Sequence, residues 1–266
     1  MLRCTLFPDP ETQSKQEFYP LSQIPLLVLV GLTGSGKTTV SNLLAQRDTF
    51  MCLSDRRSLT DSIIIPYMQK DEGQLSPVDD RLERFKLTSR FREQFPGGIA
   101  YILGNSSIES YHKGTILLFD GMRGLDEIRY AVKNLPQALF LVLLASDKIR
   151  LLRLVSRRDP FDKVETDINK ENLNPLKKIF NPQDFDYFVE EVKKGNLSQS
   201  ELLQKAEIIL TEQNLYQQDP VVHYLKENAV GRTLIFDTEI KSANEIANET
   251  VLFCNAHCQL ADNVVT

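Results

Sequence analysis

Residues 26–40 read LLVLVGLTGSGKTTV, and this stretch decides the fold that the sequence predicts. Five apolar residues, 26–30, come first and have the length and composition of a buried β-strand. A glycine-rich segment follows at residues 31–38, and the chain then continues with apolar residues at helical spacing. A buried strand, a glycine-rich turn and a helix start, in this order, are typical of a phosphate-binding loop. The stretch therefore predicts an anion site at the start of a helix.

The chemistry of phosphate binding explains why these residue types occur together. Glycines let the backbone turn tightly, so that successive N–H groups converge on phosphate oxygens at the positive end of the helix dipole. Lys37 is expected to reach the β- and γ-phosphates, and the Thr38 hydroxyl to bind Mg²⁺. The sequence thus predicts that ATP and Mg²⁺ are bound by Gly31, Thr33, Gly34, Ser35, Gly36, Lys37, Thr38 and Thr39.

Composition restricts the classes of protein to which the chain can belong. Its 266 residues suffice for one α/β domain with insertions, and an apolar share of 42% is enough for a sizeable core. No apolar run approaches the length of a membrane span, and the N-terminal residues lack the apolar core of a signal peptide. The formal net charge of −5 argues against a broad surface for duplex nucleic acid. We therefore expect a cytoplasmic protein with neither a membrane nor a nucleic-acid partner.

Strand and helix patterns alternate along most of the chain. The predicted strands are residues 26–30, 50–53, 115–119, 138–145, 206–211 and 233–236. The predicted helices beyond the one that follows the loop are residues 78–94, 99–111, 125–135, 148–157 and 242–253. Such alternation predicts a parallel sheet with helices on both faces, which is a three-layer αβα fold.

A long segment without a strand signal interrupts this alternation at residues 159–199. One helix is clear in it, because Asn181 suits an N-cap, Pro182 the first helical position, and Gly195 the end. We expect this segment to be a helical lid inserted into the sheet domain. The chain then divides into an N-terminal arm, a core and the lid, at residues 1–24, 25–158 with 200–266, and 159–199.

Two charged residues follow the predicted strand 115–119. Asp120 comes directly after the strand, where a carboxylate beside the first strand would bind Mg²⁺; the alternative is that it only caps the turn with Gly121. Arg123 lies three residues further, at the same rim of the sheet. It would contact a phosphate or form an ordinary surface salt bridge, and the sequence leaves both alternatives open.

The predicted helix 148–157 carries three arginines on one face, because Arg150, Arg153 and Arg157 are spaced by three and seven residues. A transferring phosphoryl group needs cations around its equatorial oxygens, and planar guanidinium groups suit this task. A helix that leads into a lid can bring such groups in when the site closes. The alternative is a solvated basic face. We expect Arg153 and Arg157 to be catalytic and Arg150 to be structural.

The second predicted strand ends in a polar cluster that contains Asp55 and Arg56. Ligand-binding groups collect at the carboxyl ends of strands in open α/β sheets. Asp55 would therefore orient or deprotonate an acceptor hydroxyl, and Arg56 or Arg57 would bind an acceptor phosphate. A simple polar turn would have the same sequence, so this alternative also stays open.

The loop, the LFDG sequence that ends at Gly121 and the arginine helix before a long insert resemble the P-loop family of nucleotide and nucleoside kinases. Adenylate kinase and dephospho-coenzyme A kinase are familiar members of this family. Asp120-Gly121-Met122-Arg123 and the following Glu127 match the turn that its archaeal relatives carry.

This resemblance implies the sheet order 2-3-1-4-5, a lid after the fourth strand and a last strand led by Ala206. It also implies base recognition just after that strand, where residues 211–214 depart from the family's usual turn. Residues beyond 213 contain a further strand and helix, which exceed a minimal kinase and would form a regulatory or oligomerisation element.

These features together predict an ATP- and Mg²⁺-dependent phosphotransferase that moves the γ-phosphate to a small nucleotide-like or otherwise phosphorylated acceptor. The alternative is a regulatory ATPase, or switch, that binds a protein partner through its lid or C-terminal extension. That alternative predicts an apolar lid surface, although the same aromatic residues would equally form the lid's own core: Phe161, Phe180, Phe185, Tyr187 and Phe188. Phosphorylation of a polynucleotide end would need a basic channel, which the net charge does not indicate.

Overall fold

The computed structural model describes residues 2–4, 18–70, 77–78, 81–157 and 173–264. Its strands are β1 (Leu2–Cys4), β2 (Tyr19–Pro20), β3 (Leu26–Val30), β4 (Phe50–Cys52), β5 (Ser106–Ile108), β6 (Ile116–Met122), β7 (Ala138–Leu144) and β8 (Thr233–Asp237). Its α-helices are α1 (Lys37–Ala45), α2 (Arg56–Leu59), α3 (Ile65–Gln69), α4 (Arg81–Gln94), α5 (Gly98–Gly104), α6 (Leu125–Asn134), α7 (Asp147–Ser156), α8 (Pro182–Lys193), α9 (Gln199–Leu215), α10 (Gln218–Asn228) and α11 (Ala243–Val264). A π-helix (Thr60–Ile64) joins α2 to α3, and 3₁₀-helices precede β3 (Leu21–Gln23) and α8 (Asn174–Lys178).

Five strands form a parallel sheet in the order β4-β6-β3-β7-β8. When only the strands of this sheet are numbered along the chain, with β3 as the first, the order is 2-3-1-4-5. The predicted three-layer fold and strand order are therefore confirmed. β3 lies between β6 and β7, with Val28 opposite Phe119 and Phe140. The central strand is therefore the one that leads into the phosphate-binding loop.

The sequence of β3 explains its central place in the sheet. All five of its residues are apolar and buried. Leu26, Val28 and Val30 belong to one apolar core, whereas Leu27 and Leu29 belong to the other. Because successive side chains of a strand point to opposite faces, a strand without polar residues needs helices on both sides. Helices α4, α5, α6 and α10 supply buried residues to the first core, and α1 and α11 to the second.

One predicted strand is wrong, because residues 206–211 lie inside the helix α9. Leu202, Ala206 and Ile209 recur at helical spacing along α9, and all three are buried in one cluster. A short apolar run fits a strand and a helix equally well, and here the period of the longer segment decides. The fifth strand is instead β8, so the C-terminal strand and α11, which the sequence suggested as an extension, complete the sheet.

A second difference concerns the predicted helix 99–111. In the structure α5 ends at Gly104, and residues 106–108 form β5. β5 pairs antiparallel with β1 and β2 in a small second sheet, to which the N-terminal arm contributes two strands. Residues 5–17 of the arm lie outside the described residues.

Helices α7, α8 and α9, with the 3₁₀-helix before α8, share an apolar core of their own. Asn181 Oδ1 accepts the backbone N–H of Asp184 at 2.9 Å, so the predicted N-cap is confirmed. The division of the chain into arm, core and lid stays a prediction, because residues 158–172 lie outside the described part of the chain. Within that part, no helix combines the length and the apolar character needed to cross a membrane.

The aromatic residues of the predicted lid pack mostly inside this helical core. Phe180 and Phe188 are buried, with their ring centroids 4.9 Å apart, and Phe185 packs against them. Tyr187 is exposed, whereas Phe161 lies outside the described residues. The described aromatics therefore form a core rather than the apolar surface that a protein-binding lid would need.

Candidate active site

The phosphate-binding loop lies between the C-terminal end of β3 and the N-terminal end of α1, as the sequence predicts. Gly34 and Gly36 have φ values of 84° and 91°, a left-handed region that glycine enters without strain. A Cβ atom at Gly34 would lie 2.9 Å from the backbone oxygen of Arg150 in α7. The loop therefore packs directly against α7, and a side chain at Gly34 would disturb both.

Lys37 is the first residue of α1, and its side chain turns back to the loop. Its Nζ donates a hydrogen bond to the backbone oxygen of Leu32 at 3.1 Å, and the residue is buried. Burial and the charge of Arg123 lower the pKa of Lys37 from 10.5 to about 8, although Asp120 and Glu212 act in the opposite direction. An anion bound at the loop would relieve this unfavourable environment.

Ser35 is a further polar residue of the loop. Its Oγ is buried and has no hydrogen-bond partner among the described residues. A buried polar atom of this kind costs free energy unless it finds a partner. Together with the left-handed glycines and Lys37, this unsatisfied hydroxyl fits a loop that binds phosphate oxygens.

The predicted metal ligands, Thr38 and Asp120, are contributed by adjacent elements. Asp120 lies in β6 opposite Leu29 of β3, and Thr38 lies in the first turn of α1. The charge of Asp120 acts on Lys37 and, in addition to burial, raises the pKa of the Cys52 thiol. A hydroxyl and a carboxylate suit Mg²⁺, which usually takes its other ligands from water and substrate phosphates. No group of three or more His, Cys, Asp or Glu residues in the described ranges could hold a metal without such help.

The arginines of α7 have different surroundings. Arg150 is almost fully buried, and its Nε donates to the backbone oxygen of Thr33 at 2.8 Å, as expected of a structural residue. Arg153 donates to the backbone oxygen of Gly34 at 3.1 Å and, through both Nη atoms, to Thr238 after β8. Arg157 is exposed just beyond the last turn of α7. Arg153 therefore lies at the loop, whereas a contact of Arg157 with the loop stays a prediction.

Glu212 of α9 is the site residue that the sequence analysis missed. Its Oε2 accepts hydrogen bonds from the Thr33 N–H at 2.9 Å and from Arg150 Nη2 at 2.5 Å. Its Oε1 accepts bonds from the Thr33 hydroxyl at 2.5 Å and from Arg123 Nη1 at 3.0 Å. Glu212 is only 4% exposed. The sequence did contain one signal, because Glu212 lies three residues after Ile209 on the buried face of α9. The prediction of a strand at residues 206–211 concealed this helical spacing.

Arg123 joins this loop network to a second cluster of charges. Its backbone N–H donates to Glu127 Oε2 at 2.9 Å, and Glu127 accepts two hydrogen bonds of 2.7 Å from Arg56. Arg56 also donates to the backbone oxygen of Gly121 at 2.9 Å. The predicted acceptor-side residue Arg56 thus lies next to the strand end that carries Asp120.

A small cavity of about 90 Å³ adjoins this second cluster. Its polar lining consists of Arg56, Thr60, Thr88, Arg92, Glu127 and Tyr216. Arg56 and Glu127 neutralise one another, whereas Arg92 has no ion pair with any residue in the described ranges. The cavity therefore has an excess of positive charge.

Asp55 does not line this cavity. Its Oδ1 accepts the backbone N–H of Ser58 at 2.7 Å, so the exposed side chain caps α2. The alternative interpretation of this segment, a simple polar turn, predicts such a contact. A role for Asp55 toward an acceptor hydroxyl stays a prediction.

A larger and more open cavity of about 480 Å³ lies on the other side of the loop, beside α7. Arg153, Ser156, Thr238 and Glu239 are among its lining residues. The sequence analysis expected base recognition at residues 211–214, just after the last strand. Because the last strand is β8, the corresponding turn begins at Thr238, and residues 211–214 lie in α9.

A parallel sheet in the order 2-3-1-4-5, with a glycine-rich loop between its central strand and α1, defines a P-loop α/β protein. Among solved structures, the chain is similar to a gluconokinase from Sinorhizobium meliloti 1021, with a TM-score of 0.36, 16% identity, and coverage of 91% of this chain and 95% of that one. It is also similar to a shikimate kinase from Acinetobacter baumannii in complex with shikimate, with a TM-score of 0.30, 19% identity, and coverage of 72% and 96%. No family model and no curated protein matches the chain. Both TM-scores are too low to transfer an activity or a residue role.

Proposed function

We propose that this chain is an ATP- and Mg²⁺-dependent phosphotransferase that moves the γ-phosphoryl group of ATP to a small anionic acceptor. The observation that carries the proposal is that residues 120–127 connect the phosphate-binding loop to a partly open, positively charged cavity. Direct transfer requires that the two reacting groups are held together. A donor site and an acceptor site that lie on two sides of one strand end meet this requirement.

The donor half of the site is the loop and the larger cavity. Backbone N–H groups of residues 34 and 36–38, the Ser35 hydroxyl and Lys37 would bind the phosphates at the start of α1. The Thr33 N–H is already donated to Glu212 and is not counted among them. The nucleoside would lie in the cavity of about 480 Å³, against Arg153 and the turn at Thr238. The contacts of Arg153 with Gly34 and Thr238 would hold the loop and this turn at a fixed spacing.

Thr38 and Asp120 would hold Mg²⁺, which when bound neutralises charge on the β- and γ-phosphates. Arg123 is the arginine best placed to contact the transferring group, because its guanidinium lies at the loop beside Thr33 and Glu212. A catalytic role for Arg157, which follows the last turn of α7, stays a prediction. The chain's own residues thus bind, orient and stabilise charge, as phosphoryl transfer requires.

The acceptor half is the cavity of about 90 Å³. This cavity holds several waters but is much smaller than the cavity of about 480 Å³ beside α7, so we assign a carboxylate or phosphate group to it and the nucleoside to the larger one. Arg92 supplies the charge for such a group, and Thr60, Thr88 and Tyr216 supply hydroxyls. A small hydroxylated or phosphorylated acid therefore fits better than a whole nucleotide.

The experiment is a measurement of ADP release with Mg²⁺ and ATP, alone and with three acceptor classes: small hydroxy acids, sugar phosphates and nucleoside monophosphates. We expect at least tenfold stimulation by one of the first two classes and no turnover by Lys37→Met. Arg92→Gln should raise the acceptor KM about 10- to 100-fold, because it removes one charged hydrogen bond of roughly 1.5–3 kcal/mol. Arg129→Gln is the matched control, since Arg129 is exposed, does not line the cavity, and contacts Asp126 and the ring of Tyr224.

ADP release that no acceptor stimulates would refute phosphotransfer and would favour the regulatory ATPase. Transfer to nucleoside monophosphates alone would contradict the assignment of the small cavity. Failure of ATP to bind, measured by calorimetry, would overturn the donor site as well.

A further inference from the structure

Glu212 collects more polar contacts than any other side chain at the phosphate-binding loop for which contacts are described. Its two carboxylate oxygens accept four hydrogen bonds, two from Thr33, one from Arg123 and one from Arg150. A buried carboxylate is tolerated only when charged partners and hydrogen bonds satisfy it, and Glu212 has both. The contacts fix the position of α9 relative to the loop, and they equally fix the two guanidinium groups.

Arg123 is held at two points by this arrangement. Its Nη1 donates to Glu212, and its backbone N–H donates to Glu127. Its Nε is buried and has no hydrogen-bond partner among the described residues. An arginine that is anchored through one nitrogen while another nitrogen is buried without a partner is oriented for a ligand, since an unsatisfied buried donor is costly.

The same contacts form a series of alternating charges across the site. It runs from Arg150 through Glu212, Arg123 and Glu127 to Arg56. One end of the series lies at the loop, because Arg150 donates to Thr33. The other end lies at the small cavity, whose lining includes both Arg56 and Glu127. Glu212, from α9, is the acidic member of the series that contacts the loop directly.

We infer that Glu212 is a positioning residue of the transfer site: it holds Arg123 at the phosphate-binding loop so that Arg123 contacts the transferring phosphoryl group. This inference rests on the proposed function. Glu212 itself does not touch the phosphate, since all its contacts are to protein donors and its charge would repel an anion. It acts by keeping a flexible guanidinium in one orientation, which lowers the cost of ordering that group during the reaction.

The test is Glu212→Gln, which keeps the size of the side chain and removes the charge that attracts both guanidinium groups. We expect kcat to fall about 10- to 100-fold, less than or comparable to the loss of a direct donor to the reacting group, while the KM values for ATP and acceptor change less than about threefold. Glu207→Gln is the matched control, because Glu207 lies on α9 but makes none of these contacts. Its kcat should remain within about twofold of the wild type.

A double-mutant cycle with Arg123→Gln shows whether Glu212 acts through Arg123. If it does, Glu212→Gln costs less than about threefold in kcat once Arg123 has been replaced. Full additivity of the two losses would overturn the inference. So would tighter ATP binding and faster turnover in Glu212→Gln, because they would show that the carboxylate competes with the phosphate.

Binding of ADP with aluminium fluoride, an analogue of the planar transferring group, separates this inference from the proposed function because it needs no acceptor. We expect Glu212→Gln to weaken the binding of this complex at least tenfold more than it weakens the binding of ADP alone. In a protein that already carries Arg123→Gln, Glu212→Gln should have no further effect. Equal binding by wild type and Glu212→Gln would refute the positioning role even if transfer occurs. Absence of transfer in the wild type would refute the proposed function and leave this binding result intact.

Arg150 loses its carboxylate partner from α9 in Glu212→Gln, so that variant must also be checked for folding by circular dichroism. Glu212→Asp keeps the charge and shortens the side chain by one carbon, which leaves a folded variant for the same measurements. It should bind the analogue with an affinity between those of wild type and Arg123→Gln. Wild-type affinity in Glu212→Asp and in Glu212→Gln would contradict the inference.

Discussion

Raising the pH from 7 to 9 should weaken nucleotide binding about tenfold, because the free protein loses the positive charge of Lys37. The pKa of Lys37 is lowered to about 8, chiefly by burial and then by Arg123. Lys37 would then be about 90% protonated at pH 7 and about 10% protonated at pH 9. Bound phosphates favour the charged form, so the pKa rises on binding and a proton is taken up. Affinity is therefore close to its maximum at pH 7 and falls as the pH rises through the pKa of the free protein near 8; a tenfold change corresponds to about 1.4 kcal/mol.

The assay is a titration with a non-hydrolysable ATP analogue at saturating Mg²⁺ and constant ionic strength, at half-unit steps of pH. Calorimetry in two buffers of different ionisation enthalpy should show uptake of a large part of one proton near pH 9. Lys37→Met is the control, and its weaker affinity should not change with pH over this range. A flat profile in the wild type, or an equal slope in Lys37→Met, would refute the reasoning that burial lowers this pKa.

Three further results are expected. Gly34→Ala should weaken ATP binding at least tenfold in the same titration, because its φ of 84° costs an alanine about 1–2 kcal/mol and its Cβ would meet Arg150 O at 2.9 Å. Asp120→Asn should raise the Mg²⁺ concentration for half-maximal ADP release at least tenfold, whereas Asp126→Asn on the exposed face of α6 should not. Phe188→Ala should lower the free energy of unfolding by about 3–5 kcal/mol in a urea titration, because the ring is fully buried; a loss below about 1 kcal/mol would contradict the separate helical core.

The sequence predicts the phosphate-binding loop well because its chemistry requires fixed residue types in one continuous stretch. Strand β3 is equally clear, since five consecutive apolar residues between a connector and a glycine-rich turn fit a buried strand. The order of the strands follows from the likeness to a known family rather than from any local pattern. The predicted strand order is correct although residues 206–211 are helical and β8 is the fifth strand. The family resemblance therefore predicted the order of the sheet but not which segment forms its last strand.

The remaining part of the site depends on contacts between residues that are far apart in the chain. Glu212 is 179 residues from Thr33, and Thr238 is 85 residues from Arg153. No spacing connects such pairs: the period of α9 places Glu212 on a buried face but does not show that it meets Thr33, and no local pattern marks Thr238. The same reason explains why the sequence analysis named Asp55 and not Arg92: a polar residue after a strand is visible locally, whereas a guanidinium that lines a cavity is not.

The late position of β8 has a consequence for how the protein is synthesised. β8 pairs with β7 only after residues 145–232 have been made, and until then β7 is an edge strand with unpaired backbone groups. Synthesis proceeds at roughly 5–20 residues per second, and a domain generally folds as a unit, so the sheet is complete only once β8 has been made. The loop is complete early, but Arg153 cannot be tied to Thr238 until β8 has docked. A nascent chain released before that point would expose an aggregation-prone sheet edge and hold an incomplete nucleotide site, so ATP should protect only full-length chains from proteolysis.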